Sequence, residues 1–420
     1  IEKSFVGADG GSWDVAYNWS PAKVPTLLDN VTISGGKSVA CGGTLRARSV
    51  TVSGSGASLT VGDGFANLEV SILGDFAVTD GAQVRFCAGR TDGIDATDWE
   101  SSAKLLYAQA NAGSVRIGGL LRVGAGSTLY AQNDALTGTP VFFKPKDFTV
   151  ENGATVSAAG LGFKRYKRSD WTEGGAPVGA TFGMDFRGGS DTNYYSYAFG
   201  KGADYALGGG YGGATLNRGA TYDVNQVTDD FGLLTTVSQR FGDAYGFATA
   251  PFLPGSPGGT YEKTVPVSNG GGTICILAKG AVRLGGKMAA DAAQNGAYSG
   301  ASGGGVWVVA GQITQTDTLT VTAKGSANGN ANHKPGSGGR VAFVSGVDPT
   351  SDAFAELVAG GEPESLSYAD LAFSGLSVAG ARNGDTSKCF AEDGTAVQAF
   401  DPTAFETLTV RGTPLAAVST

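Results

Sequence analysis

The chain has 420 residues, with 69 glycines against 14 prolines and 41% hydrophobic residues. This excludes collagen, whose glycine recurs at every third position, and a disordered chain poor in apolar residues. Thirty basic against 38 acidic residues give a formal net charge of −8, and no Lys/Arg-rich block is long enough to track phosphates, so nucleic acid is not an expected partner.

No apolar run approaches the roughly 20 residues that span a bilayer, so no membrane span is expected. A start at Ile1 without an initiator Met is what a mature secreted or cell-surface chain shows once its leader is removed, and that localisation is the expectation. The first 30 residues carry Trp13, Trp19, Pro21 and Pro25 and read as a cap, because stacked strands otherwise end in an open edge that recruits another chain.

From Val31 to about 161, short alternating apolar runs end at Gly, Asn, Asp or Ser, and helix patterns are almost absent. "SVTVSGSGASLTVGDG", "FAVTDGAQVRFCAG" and "FTVENGATVSAAG" share one grammar: strand, glycine turn, strand. "VTI" at Val31, "VTV" at Val50 and "LEV" at Leu68 recur at a spacing close to the roughly 20 residues of one coil. Residues 162–269 form an irregular Gly/Tyr-rich elaboration. From 270 to 346 a longer repeat follows in "GGGTICILA", "GGGVWVVAG" and "SGGRVAFVSG", with Gly272, Gly305 and Gly339 as equivalents and Ile274, Trp307 and Val341 therefore matched. Residues 347–420 read as C-terminal coils or a cap, with "SDAFAELVAGG" able to form a short helix before "TAVQAF" and "ETLTVRG" resume as strands.

A unit this short cannot close its own hydrophobic core, so units must stack. The expected fold is all-β: a right-handed parallel β-helix, or solenoid, with an N-terminal cap and an irregular central insertion. A series of β-sandwiches fits the strand spacing, but not the long glycine repeat. Trp307 faces outward if Val306 and Val308 face the core, and fills the core if the parity is reversed. Cys41, Cys87, Cys275 and Cys389 lie far apart with no C-x-x-C pair, which leaves buried thiols and disulfides both open and argues against zinc.

Two stretches carry a resemblance. The layout of Trp13, Asn18, Trp19, Ser20, Pro25, Asp29, Val31 and Ile33 resembles the start of autotransporter-type and related bacterial secreted β-helices. From Gly208 to Val344, "GGGYGG", "AYGFATAPFLPGSPGG", "GGGTICILAKGAVRLGGKMAA", "SGGGVWVVAG" and "GSGGRVAFVS" resemble a glycine-rich β-helix module of large bacterial surface proteins, with Tyr211 where that module often has His. The resemblance implies the β-helix and a place at a bacterial surface, and it supplies no catalytic residues.

The leading functional expectation is therefore a non-catalytic extracellular scaffold, fibre component or adhesin. Its expected partners are itself, end to end or laterally, or a polysaccharide met by Tyr194, Tyr195, Tyr197, Tyr211 and Trp307. The alternative is a polysaccharide lyase or glycoside hydrolase. A lyase needs cations to neutralise a uronate and a base, for which Arg165, Tyr166 and Lys167 are candidates. A hydrolase needs paired carboxylates, for which Asp92, Asp95, Asp98 and Glu100 form one candidate group and Asp223, Asp229 and Asp230 another. Asp92, Asp95 and Asp98 form a weak calcium candidate without EF-hand spacing; no other cofactor is expected. His333, in a turn-rich stretch, reads as a surface side chain.

Overall fold

The computed structural model describes residues 1–94, 99–167, 194–196, 211, 215–217, 239–242, 245–258, 268–293, 300–327, 335–361, 367–381, 389–391, 394–397, 408–410 and 413–415. For 165–167, 194–196, 215–217, 239–242, 389–391, 397, 408–410 and 413–415 it describes the backbone alone.

Alternation in sequence becomes alternation in burial. In Asn30–Ile33, Val31 and Ile33 are buried and Asn30 and Thr32 are half-buried, and Ser49–Ser53 repeats the pattern with Val50 and Val52. Such β-branched residues suit a half-buried pleated surface. After each of these strands the chain turns and enters a second sheet, as the strand, glycine turn, strand grammar predicts. Phe76–Thr79 and Gln83–Cys87, for example, lie in different sheets. The turns themselves stack: Gly126 donates its N–H to the carbonyl of Gly153, and both have positive φ, of 75° and 77°, a conformation that a Cβ disfavours.

Among the described residues the larger sheet has 14 strands and the smaller nine. The larger runs in order through Trp19–Ser20, Glu2–Phe5, Asn30–Ile33, Ser49–Ser53, Phe76–Thr79, Val115–Val123, Phe142–Val150, Thr273–Leu284, Gly305–Gln315, Arg340–Ser345 and Ser367–Tyr368. Neighbours along this path are parallel except at its two ends, where Trp19–Ser20 and Ser367–Tyr368 pair antiparallel. The smaller sheet is parallel throughout, from Gly11–Ser12 to Phe373–Ser377. Phe142–Val150 pairs directly with Thr273–Leu284, so the elaboration between them enters without breaking the sheet.

The expected spacing holds for Val31 and Val50, which are register partners. It fails for "LEV". Val70 pairs with Leu45 and Val115, whereas the next partner of Val50 is Phe76. The short strands Thr44–Ala47 and Glu69–Ile72 form their own branch, which Val115–Val123 joins to the main path by pairing with both Glu69–Ile72 and Phe76–Thr79.

The long glycine repeat is present, but one residue out of the expected register. Thr273 pairs with Gly305 and Trp307 with Cys275 on one side and Ala342 on the other. The equivalent glycines are thus Gly272, Gly304 and Gly339, and Trp307 matches neither Ile274 nor Val341. Close backbone contact sets this register. A Cβ on Gly304 would lie 1.9 Å from the carbonyl oxygen of Gly272, and one on Gly339 would lie 2.0 Å from that of Gly304. Those oxygens accept from Gly305 N at 3.1 Å and Arg340 N at 2.9 Å.

With this register, Ile274, Val306 and Val341 enter one core between the sheets, where Phe76, Phe86 and Phe143 also pack at centroid distances of 5.8 and 5.4 Å. Cys275, Trp307 and Ala342 point to the opposite face and enter a second core. That face is covered by helix α1 (Trp99–Ala112) through Ala103, Leu106 and Ala110, by helix α2 (Asp352–Val358) through Phe354 and Leu357, and by Tyr245, Phe252 and Leu253. Trp307 stacks on Phe354 at 5.6 Å with planes 9° apart. Both readings of Trp307 are thus half right: it faces away from Val306 and Val308, and it is fully buried.

The N-terminal segment packs as part of the sheet. Trp13 and Trp19 are buried edge to face at 4.8 Å, and Trp19 Nε1 donates to the Trp13 carbonyl at 2.7 Å. The expected helix in "SDAFAELVAGG" is α2, capped by Ser351, whose side chain accepts from Phe354 N. Thr395–Val397 and Leu408–Val410 are strands, the first parallel to Arg340–Ser345. Cys41, Cys87 and Cys275 are free and buried; burial pushes the thiol of Cys41 up to about 11 and that of Cys275 up to about 12, so neither is reactive near neutral pH.

A methyl group at Gly304 has nowhere to go, so Gly304→Ala is expected to destabilise the chain by about 1–3 kcal/mol or more. Gly42→Ala, where a Cβ meets nothing within 4 Å, is expected to fall within about 0.5 kcal/mol of the parent. Urea-unfolding midpoints check both, and equal midpoints for the two variants would contradict the glycine register.

Candidate functional site

The larger sheet bends where its long strands lose register, between Ile117 and Leu120, between Phe143 and Phe148, and between Ala278 and Ala281. Carboxylates hold the bend. Asp75 Oδ1 accepts from Leu120 N at 2.8 Å, and Asp147 Oδ1 accepts from Ala281 N at 2.7 Å. On the outer side of this bend lies a groove of about 810 Å³. Ile72, Ile117 and Pro145 supply buried apolar lining, Leu73 stands exposed, and Arg116, Lys144, Lys146 and Lys279 supply positive charge.

These cations come from three successive strands. Arg116 is the register partner of Lys144, and adjacent strands stand roughly 4.8 Å apart. Both also meet the end of α1. Arg116 Nη2 donates to the carbonyls of Asn111 and Ala112 at 3.5 and 3.3 Å, and Lys144 Nζ donates to the Asn111 carbonyl at 3.4 Å and to its Oδ1. The negative end of the helix dipole thus fixes where two of the four charges sit. None of the ion pairs among the described residues involves any of the four. Asp348 feels Lys279: its carboxyl is held below its ordinary range first by its bonds to Thr350 and also by that charge. Lys144 is half-buried, and desolvation, then repulsion from Arg116, brings its amine down to about 8. The groove can hold anionic groups, and near pH 8 it offers an amine that is partly neutral.

The residues singled out in the sequence lie elsewhere. Arg165–Lys167 forms a short strand antiparallel to Tyr194–Ser196, which pairs Tyr166 with Tyr195 and Lys167 with Tyr194. The backbone therefore brings these two candidate groups together. Tyr197, Asp223, Asp229, Asp230, Asp95, Asp98 and His333 lie outside the described residues, and Asp92 is exposed. Among the described residues no group of three or more His, Cys, Asp or Glu could hold a metal ion.

Two glycan-contact candidates are corrected. Tyr211 and Trp307 are fully buried, so neither ring is open to a glycan at the surface. Tyr211 packs on Tyr245 at 4.9 Å beneath Arg340, whose guanidinium lies 5.6 Å from the Tyr211 ring and also bonds the Tyr245 carbonyl and Thr395. Burial pushes the hydroxyls of both tyrosines up, so both stay protonated. Tyr211 Oη and Trp307 Nε1 are buried without a hydrogen-bond partner among the described residues.

Comparison with protein-family models gave no match, and comparisons with curated proteins and with solved structures gave none either. The geometry of the chain itself therefore carries the functional argument.

The Lys144 amine is less basic in the folded chain than in the unfolded one. Between pH about 8 and the ordinary 10.5 the unfolded chain holds more protons, so this group's contribution to stability rises with pH across that window. NMR titration of the lysine side chains, with Lys144→Arg for assignment, is expected to place the Lys144 midpoint near 8 and to move it upward in Arg116→Gln. A midpoint near the ordinary 10.5 would contradict this.

Proposed function

We propose that the chain is a non-catalytic, extracellular scaffold of the bacterial surface or fibre type, built as a right-handed parallel β-helix and meeting glycans on its outer face. One observation carries the reading: apart from the two ends of the larger sheet, neighbouring strands run parallel along both sheets, with tight turns between strands of one sheet and the other, and one core extends between them. A stack that grows by adding units makes a long stiff body whose outer side chains repeat at strand spacing. The bacterial, secreted and surface-bound parts of the proposal rest on the resemblance of the tryptophan-rich start and the glycine-rich repeat. End-to-end or lateral self-association is part of the same proposal.

A second reading is favoured by Lys144 beside Arg116. In a polysaccharide lyase, Arg116 would neutralise a uronate carboxylate while the neutral amine of Lys144 took the proton on the adjacent carbon; the C–H electron pair would form the double bond as the bond to the glycosidic oxygen breaks, and that oxygen would take a proton from water. Purified protein incubated with polygalacturonate separates the two. The scaffold reading predicts rod-shaped particles by electron microscopy and no unsaturated chain ends in the polymer. Unsaturated ends that disappear in Lys144→Gln would overturn it in favour of the lyase.

A further inference from the structure

We propose that the groove lined by Arg116, Lys144, Lys146 and Lys279 is a binding site for an extended anionic glycan, whose successive acidic groups are met by cations on successive strands. The proposal rests on the glycan-contacting part of the scaffold reading and names its site and ligand class.

Bringing four like charges to one groove costs free energy unless something offsets it. The ion pairs among the described residues leave all four out. Asp147 and Asp75 each turn a carboxylate oxygen to a backbone N–H, of Ala281 and Leu120, and Asp348, bonded to Thr350, feels the charge of Lys279 without forming one of the ion pairs found among the described residues. Arg116 and Lys144 are held in place by the carbonyls at the end of α1. A carbonyl occupies a donor without cancelling its charge, so both cations remain able to attract an anion.

The charges lie on three neighbouring strands, so a ligand running across the strands meets one cation at each step of roughly 4.8 Å. This favours a chain with regularly spaced single charges over one small anion. Of the apolar residues around the groove, Leu73 is 58% exposed and can meet the C–H face of a sugar ring, with the cations fixing orientation. Ile72 and Ile117 are buried in the core between the sheets and form the floor beneath it. Nucleic acid fits less well, because the described residues lining the groove include no aromatic side chain on which bases could stack.

The test is calorimetric titration of the whole chain at low salt with four probes: a galacturonic acid hexamer, its methyl ester, a heparin-derived hexasaccharide, and single-stranded DNA of matched charge. Binding of the hexamer, with the methyl ester silent, is the expected result. Binding of the heparin fragment but not of the galacturonic acid hexamer would assign sulfate as the required acidic group, and binding to either supports the site. The double variant Lys146→Gln/Lys279→Gln changes two exposed side chains that hold no helix carbonyl, and it is expected to weaken binding about tenfold or more. No binding to either glycan, preference for DNA, or affinity unchanged in the double variant would overturn the proposal. Rod shape is insensitive to these charges, so loss of groove binding leaves the scaffold reading standing. Cleavage of bound hexamer would overturn the non-catalytic reading while leaving the groove assignment intact.

Discussion

Backbone packed on backbone at the glycine ladder is the contact on which the rest depends. Between Gly272, Gly304 and Gly339 there is no space for a methyl group, so three neighbouring strands can meet there in one register. Because side chains alternate along a strand, a slip of one residue would exchange every inward residue with its outward neighbour. The ladder thereby decides that Val306 and Val308 line the core between the sheets and that Trp307 and Val309 line the other face.

That second face explains why "TICILA", "VWVVA" and "VAFV" are continuously apolar. Strands buried on both sides need no polar alternation. The same face calls for a cover, which α1, α2 and the segment around Tyr245–Leu253 provide. The end of α1 then falls beside the bend of the sheet, where its carbonyls meet Arg116 and Lys144. Core, cover and cationic groove are linked through a few strands.

Much of the framework was legible in sequence. The strand, glycine turn, strand grammar, the partnership of Val31 with Val50 and the short helix at Asp352–Val358 all stand as read. Other features were hidden for physical reasons. In a run of two or three glycines, no side chain marks which one packs on its neighbour, so Gly305 was matched where Gly304 belongs. Matching Ile274 and Ile276 to Val306 and Val308 by apolar parity gives the right answer. Helix α1 had a signal in Ala103, Leu106, Tyr107 and Ala110, whose spacing covers one helical face, yet it lies among strand patterns. The groove could not be read from spacing, because its cations are far apart along the chain and only strand pairing unites them. Tyr211 and Trp307 belong to a covered face, which Trp and Tyr serve as readily as a binding surface.

Hydrogen exchange at the glycine ladder tests the central claim most directly. The amides of Gly305 and Arg340 donate to the carbonyls of Gly272 and Gly304, beneath both a core and its cover, so they should be among the slowest-exchanging in the chain. Exchange at these two amides as fast as in exposed loops would contradict the account, since a glycine tract open to water could not set the register of the sheet.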